Sequence, residues 1–443
     1  MSPFVVVVAL VLGALCRPLF AAEEIRAEWT ETIRTADGVL RISVGEVSMQ
    51  DRARGIAISA DSARAWFSTH TNLVEKYLFF GHVFLQDTVR QVRSAALEYD
   101  PGEEAAIFTG RVEAVDVGRI LTARKMVYLL KKGLLDARGA VRLVYPEQGV
   151  SVQAEAIRYD ASGDSGEAVG DAGAVWVPGP DGDTLRAGAD TLRFYEQGER
   201  MRFVEGVQIA QAGMRAGSQT ACYLKQEGRL ELEGAPEAVW TQQGDPARDS
   251  VDIRADRMLL GLEEGRLDRI LLYQSAEICM AVLQDRVVET RLIRADTAVV
   301  GLSGDRLKEI KARGGVEALF RSGEGAKTDL SGDKIQMAFE EGQLDSLMLE
   351  GKQVTTYVPA DGMAVSRLSG GRIAIRFQDG EIRHIRADQE AVCEHTSLED
   401  GEESIRLTGD RVELDFEEGH LQRARSTGGV RGRYTPAKKE APP

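Results

Sequence analysis

Nucleophilic, acid–base and metal chemistry each need particular side chains at particular spacings, and this 443-residue chain offers few candidates. Ser165, in Gly163-Asp164-Ser165-Gly166, has the small neighbours of a nucleophilic serine, but Glu167 follows it and no His lies in a recognisable partner segment. An acyl-transfer triad needs a base and an orienting acid as well, so the tetrapeptide reads as a glycine-rich connection. The five His, at positions 70, 82, 384, 395 and 420, lack the ligand spacing of a helical metal site, and Cys279 and Cys393 have no nearby cysteine partner. Asp181-Gly182-Asp183 lacks the further carboxylates that calcium requires and reads as a turn. Carboxylate pairs such as Glu340-Glu341 sit beside glycines and belong to turns, and none stands apart as a sugar-cleaving pair would. The chain is expected to be no enzyme and to carry no metal or cofactor.

With catalysis set aside, the elements that carry the remaining residues become the question. The chain is 43% hydrophobic and 28% charged, so it can bury a large core. A net charge of −15 repels phosphate backbones and argues against nucleic acid as a partner. Phe4 to Leu15 is an apolar run broken by Cys16-Arg17-Pro18 and followed by Leu19-Phe20-Ala21-Ala22. A bilayer-spanning helix needs about 20 apolar residues, so residues 1–22 read as a signal peptide and the protein as periplasmic, with an uncleaved anchor as the alternative. The remaining Cys222, Cys279 and Cys393 are odd in number and widely spaced, unlike a disulfide framework. Cys222 is expected to point inward as a small core hydrophobe.

A small residue, usually followed by Asp or another polar residue, recurs at Ala60, Ser94, Ala123, Ala154, Ala189, Gly217, Ala255, Ala295, Gly332, Gly370 and Gly409, a period of about 35 residues. Three and five positions after each anchor comes an apolar pair, as in Leu97/Tyr99, Met126/Tyr128 and Ile157/Tyr159; Thr220 is the one departure. Alternation of period two means a strand with one dry face. Glycine tripeptides such as Glu263-Glu264-Gly265, Glu340-Glu341-Gly342 and Lys131-Lys132-Gly133 then close tight hairpins. Many second strands carry a glycine two residues before a Val or similar residue: Gly81-His82-Val83, Gly110-Arg111-Val112, Gly139-Ala140-Val141 and Gly173-Ala174-Val175. Such a glycine permits a sharp bend, so each strand is expected to cross from one sheet layer to a facing one. The fold class is therefore all-β, an elongated antiparallel β-jelly-roll of about eleven hairpin repeats.

The stretch from Arg93 to Trp176 contains Ser94-Ala-Ala-Leu-Glu-Tyr-Asp100, Ile107-Phe-Thr-Gly-Arg-Val112, Ala123-Arg-Lys-Met-Val-Tyr128, Leu135-Asp-Ala-Arg-Gly-Ala-Val141 and Ala154-Glu-Ala-Ile-Arg-Tyr-Asp160. It resembles the OstA-like family, the periplasmic lipopolysaccharide-transport proteins of the LptA, LptC and LptD N-terminal type. The resemblance implies a β-jelly-roll, or β-taco, whose apolar trough carries acyl chains toward the outer membrane, with lipopolysaccharide and related jelly-roll modules as partners. It places an OstA-like unit at residues 23–185, further repeats of the same stack at 186–434 and a disordered tail at 435–443.

The residue pattern suits that chemistry on its own terms, because each exposed methylene of a lipid in water costs about 0.8 kcal/mol and a dry trough removes the cost. The residues expected to contact lipid are Leu97, Tyr99, Phe108, Val112, Met126, Tyr128, Leu135, Val141, Ile157 and Tyr159, which alternate with polar neighbours such as Glu98 and Arg111. The alternative is that these side chains fill a closed core, in a passive structural or sugar-binding β-solenoid of the envelope. A jelly-roll open at its ends leaves unpaired strands, so edge pairing with itself or a related module is expected, with edges near Val44 to Ala65 and Val412 to Val430.

Overall fold

A computed structural model describes residues 24–35, 38–68, 73–176, 184–241, 249–284, 287–304, 306–322, 325–378, 381–397, 403–417 and 420–435. The expected signal peptide, Asp181-Gly182-Asp183 and residues 436–443 of the expected tail lie outside them. Two compact units divide between Lys131 and Lys132. The first holds β1 (Glu24–Arg26), β2 (Trp29–Arg34), β3 (Gly38–Asp51), β4 (Ile56–Ser68), β5 (Val74–Gln86), β6 (Gln91–Asp100), β7 (Ala105–Asp116) and β8 (Arg119–Leu129). The second begins with β9 (Leu134–Tyr145), β10 (Val150–Asp160), β11 (Ser165–Trp176), β12 (Leu185–Tyr195), β13 (Arg200–Gln211), β14 (Met214–Leu224), β15 (Arg229–Glu233), β16 (Glu237–Thr241), β17 (Asp249–Arg254) and β18 (Arg257–Glu263). It continues with β19 (Arg266–Gln284), β20 (Val287–Ser303), β21 (Arg306–Arg321), β22 (Lys327–Glu340), β23 (Gln343–Val358), β24 (Ala364–Gln378), β25 (Glu381–Ser397), β26 (Glu403–Glu417), β27 (His420–Thr427) and β28 (Arg431–Thr435).

All pairing is antiparallel between strands close in sequence. In the first unit β3 to β8 form a meander, and β1 and β2 pair with the two halves of β3. In the second unit the meander runs from β9 to β26, with pairing continuous across residues 185–186 as Trp176 meets Leu185. β15 with β16, and β17 with β18, each form one long strand interrupted in the middle. The turns follow the glycines: Glu264 and Gly265 both have positive φ, 51° and 79°, and close a two-residue hairpin between Glu263 and Arg266. A turn of that type needs positive φ at both central residues.

The long strand pairs are kinked near their middle, some with a second shift near the turn, and the central kink explains the repeat. Val44 pairs with Ser62 and Val47 with Ala60, so Gly45 and Glu46 together oppose Asp61. Both have positive φ, 83° and 40°, as have Gly81 and His82 on β5, 75° and 41°. These two-against-one bulges are the corners at which each strand passes from one layer to the other. On the partner strand the dry face changes phase: Ile56, Ile58 and Ala60 are buried, then Ala63 and Ala65. The repeat anchor is the residue paired just before that slip, as Ala60 is, and the residue after it, here Asp61, faces the corner.

Four expectations change. The anchor of the sixth repeat is Ser218, not Gly217, because Ala221 and Tyr223 are the buried pair and the Ser218 hydroxyl bonds Thr220 O, as Ser94 bonds Ala96 O. Cys222 is therefore on the outward phase and half-buried, not an inward residue. On β11 the corner is Gly170-Asp171, φ 79° and 45°, and Gly173 lies in regular strand beyond it. The first unit's edge is formed by β1 and β2, which cover β3, so the edge is not the segment Val44 to Ala65. At the other end β27 and β28 each pair with β26, close to the expected segment.

Candidate functional site: the apolar interior and its seam

All ten residues expected to line a trough point inward, at 0 to 6% exposure. In the first unit the register sets Leu97 against Phe108 and Phe108 against Met126, with Tyr99, Ala106 and Tyr128 in the next row. Val112 lies just beyond the β7 corner and pairs with Ala123. In the second unit Leu135 pairs with Tyr159, Ala137 with Ile157, and Val141, past the β9 corner, with Ala154. Glu98 and Arg111 are on the wet side, where Glu98 holds Lys76. The alternation thus delivers one continuous dry face per unit, as period two requires.

The two layers of each unit are joined differently on their two sides. On one side every strand turns the corner covalently. On the other, the strand ends of the facing layers meet through side chains, and this seam is built of polar and aromatic contacts. In the first unit Tyr99 donates to Asp51 at 3.3 Å, and Arg54 reaches from Asp51 (2.6 Å) to the Pro101 carbonyl (2.8 Å) and Glu104 (3.6 Å). Tyr128 donates to Asp87 at 3.1 Å, the Arg90 guanidinium lies over its ring at 4.8 Å, and Arg90 and Arg119 share Asp116. Burial pushes the Tyr128 hydroxyl up to about 12, with Asp87 and Asp116 adding to the shift and Arg90 opposing it.

The second unit's seam is more aromatic. Tyr145 meets Phe194 edge-on at 6.5 Å, Trp176 meets Tyr223 at 4.7 Å and Phe203 at 6.0 Å, and Tyr357 meets Phe416 at 5.7 Å. Gln148 donates to Gln197 at 3.1 Å, and Gln211 donates to the Gly265 carbonyl. These side chains fill the space between the layers, so the interior is packed by the chain itself.

The segment around Ser165 has a structural account. Asp160 Oδ1 accepts from the backbone of Ser162 and Gly163, and Tyr159 donates to Asp164 at 2.5 Å, which fixes the β10–β11 hairpin. His82 pairs with Asp61, His384 with Asp415 and His395 with Ser366. Among the described residues no three His, Cys, Asp or Glu side chains are grouped to hold a metal ion.

No family model and no curated protein matches the chain. Among solved structures it is similar to LptH of Pseudomonas aeruginosa, described as the LptA-homologous periplasmic component of the conserved lipopolysaccharide transport device. The match has 17% identity and covers 33% of this chain and 82% of that one, at a TM-score of 0.20. That score is too low to carry the fold, which rests on the strand pairing above.

The seam is what sequence reasoning missed. Apart from the local Arg54–Asp51 and Arg119–Asp116 pairs, its contacts join residues 26 to 59 positions apart, as in Arg90 to Asp116 and Tyr357 to Phe416, and follow no period. One signal was available: an Asp or Arg at the end of an otherwise apolar phase, as in Met49-Gln50-Asp51 and Ala114-Val115-Asp116.

Proposed function

We propose that this chain is a periplasmic carrier that takes the acyl chains of lipopolysaccharide, or of a related envelope lipid, between its two layers and passes them toward the outer membrane. The observation that supports it best is the unequal joining of the layers. Corners hold one side covalently, while the other is closed by a short series of hydrogen bonds and ring contacts. Each neutral hydrogen bond contributes about 1 kcal/mol net and each bond to a carboxylate about 1.5–3 kcal/mol, so a local stretch of seam parts at a cost of several kcal/mol. The apolar surface then exposed is offset by acyl methylenes, at about 0.8 kcal/mol each. Because apolar burial is non-directional, repeated rows such as Leu97-Phe108-Met126 hold a chain without fixing it at one depth. Related modules, or a second copy, would add at the edge strands β1, β2, β27 and β28.

The packed interior favours a second reading, a passive structural module of the envelope whose Leu, Tyr and Met residues are simply core. A photo-crosslinking residue at Phe108, with another at Glu98 as control, separates the two. Carriage predicts lipopolysaccharide capture from position 108 and none from 98. Equal capture from both, or none from either in a folded protein, overturns carriage and leaves the structural module.

A further inference from the structure

The strand half beyond each corner normally begins its inward face with a small aliphatic residue, as with Val47, Val83, Val112, Val141, Val207 and Val316. β23 departs from this. Beyond Gly351 its inward residues are Gln353, Thr355 and Tyr357, the first two only 3% and 1% exposed. The register sets Tyr357 between Thr328 of β22 and Ser366 of β24, and Ser366 against His395 of β25. Thr328 and Ser366 are also buried. Six polar groups on four adjacent strands thus cluster on a face that is otherwise mostly apolar.

Their bonds leave two buried atoms, on Gln353 and Thr355, unsatisfied. Ser366 Oγ and His395 Nδ1 are 2.9 Å apart, and Gln353 donates to the Gly371 carbonyl at 2.9 Å. Gln353 Oε1 and Thr355 Oγ1 remain buried without a partner. Buried polar groups are almost always paired, and an orphan costs stability unless something else bonds it. The nearest guanidinium along the row, Arg291, is held by Glu289 at 3.2 Å. Burial lowers the pKa of His395, against the pull of Glu403, so the imidazole is neutral at pH 7. The unpartnered Gln353 Oε1 needs a donor, which a sugar hydroxyl supplies and a phosphate dianion does not, so the row matches a polyhydroxylated neutral group better than a phosphate.

We propose that the inward row formed by Gln353, Thr355, Tyr357, Thr328, Ser366 and His395 binds the neutral sugar head group of a glycolipid. The role of the apolar interior for the acyl chains rests on the carrier reading; the sugar site does not. The full chain is titrated calorimetrically with three amphiphiles sharing a twelve-carbon chain, dodecyl maltoside, dodecylphosphocholine and laurate, and with maltose alone. Dodecyl maltoside is expected to bind at least tenfold tighter than laurate. Thr355→Val and Ser366→Ala should each remove about tenfold of that affinity and leave laurate unchanged. Thr355→Val should also raise Tm, since it replaces a buried orphan hydroxyl with a methyl group, so weaker binding could not be blamed on unfolding. Maltoside binding no tighter than laurate, or unmoved by either variant, overturns the site, as does tightest binding of the phosphocholine. Maltose binding that Ser366→Ala abolishes, with no laurate binding, supports the site and sinks the carrier reading. No binding by any of the four overturns both.

Discussion

Replacing Gly81 by Ala tests the account of the corners. Gly81 has φ +75°, and an added Cβ would fall 2.7 Å from Asp61 Cγ and 2.9 Å from Asp61 Cβ. Gly118, in the β7–β8 turn of the same unit, has φ +78°, and nothing lies within 4 Å of its added Cβ. The two positions share the backbone cost of an L-residue in the left-handed region, about 1–2 kcal/mol. Gly81→Ala adds the clash, which forces Asp61 or the β4 backbone to move, at about 1–3 kcal/mol for overpacking. The Asp61–His82 pair contributes little to either total, since both side chains are largely exposed. Gly81→Ala should therefore cost about 2 kcal/mol more than Gly118→Ala, about a thirtyfold difference in the unfolding equilibrium. Urea titrations with unchanged m-values measure both. Asp61→Gly should recover the difference in a double-mutant cycle, because it removes the atoms that collide. Equal costs for the two alanines, or no coupling to Asp61, would refute the idea that Asp61 dictates glycine at the opposing Gly81 corner.

The raised pKa of Tyr128 makes the first unit sensitive to alkali. A neutral phenol favoured in the folded state contributes stability that is complete below the usual value of 10.0 and lost as pH rises toward about 12. Tyr128→Phe should flatten the fall in stability between those pH values, and a variant that declines as steeply as the parent would contradict the seam assignment. At the C-terminal edge, Ala424→Pro on β27 should weaken any self-association, since proline blunts an edge strand. Light scattering over a concentration series reads this, and association unchanged by the proline would place the interface elsewhere.

The hairpins and the dry face were legible in the sequence because period two and turn glycines are local signals. Leu97, Phe108, Met126 and their companions all point inward for that reason. The corners were half legible. Gly81 and Gly110 announced themselves by the following Val, whereas β11 offers both Gly170 and Gly173 and only the pairing of Val169 with Thr191 and Ala172 with Ala189 decides between them. Gly217 and Ser218 are both small, so the anchor there was ambiguous by one residue, and one residue is enough to turn Cys222 outward. The inward polar face of β23 escaped notice because the anchor pattern counts residues toward one layer, and Gln353, Thr355 and Tyr357 lie in the other. Contacts such as Arg54 to Pro101 depend on how two layers close, which no window along the chain samples.

Because each strand hydrogen-bonds only with strands within three places of it in sequence, no step in assembling either unit requires a long loop to close. Loop-closure entropy is what makes most β proteins slow to fold, and here it is paid in small equal instalments. Each hairpin completes the surface on which the next can form, so folding can follow synthesis from the N-terminus. The same arithmetic makes unfolding local: β28 or β2 can peel away while pairing several hairpins distant persists, as in other quasi-one-dimensional arrays. Adding or deleting one hairpin of such a unit changes two interfaces and leaves the others intact, so chain length can drift in evolution without a new fold having to be found.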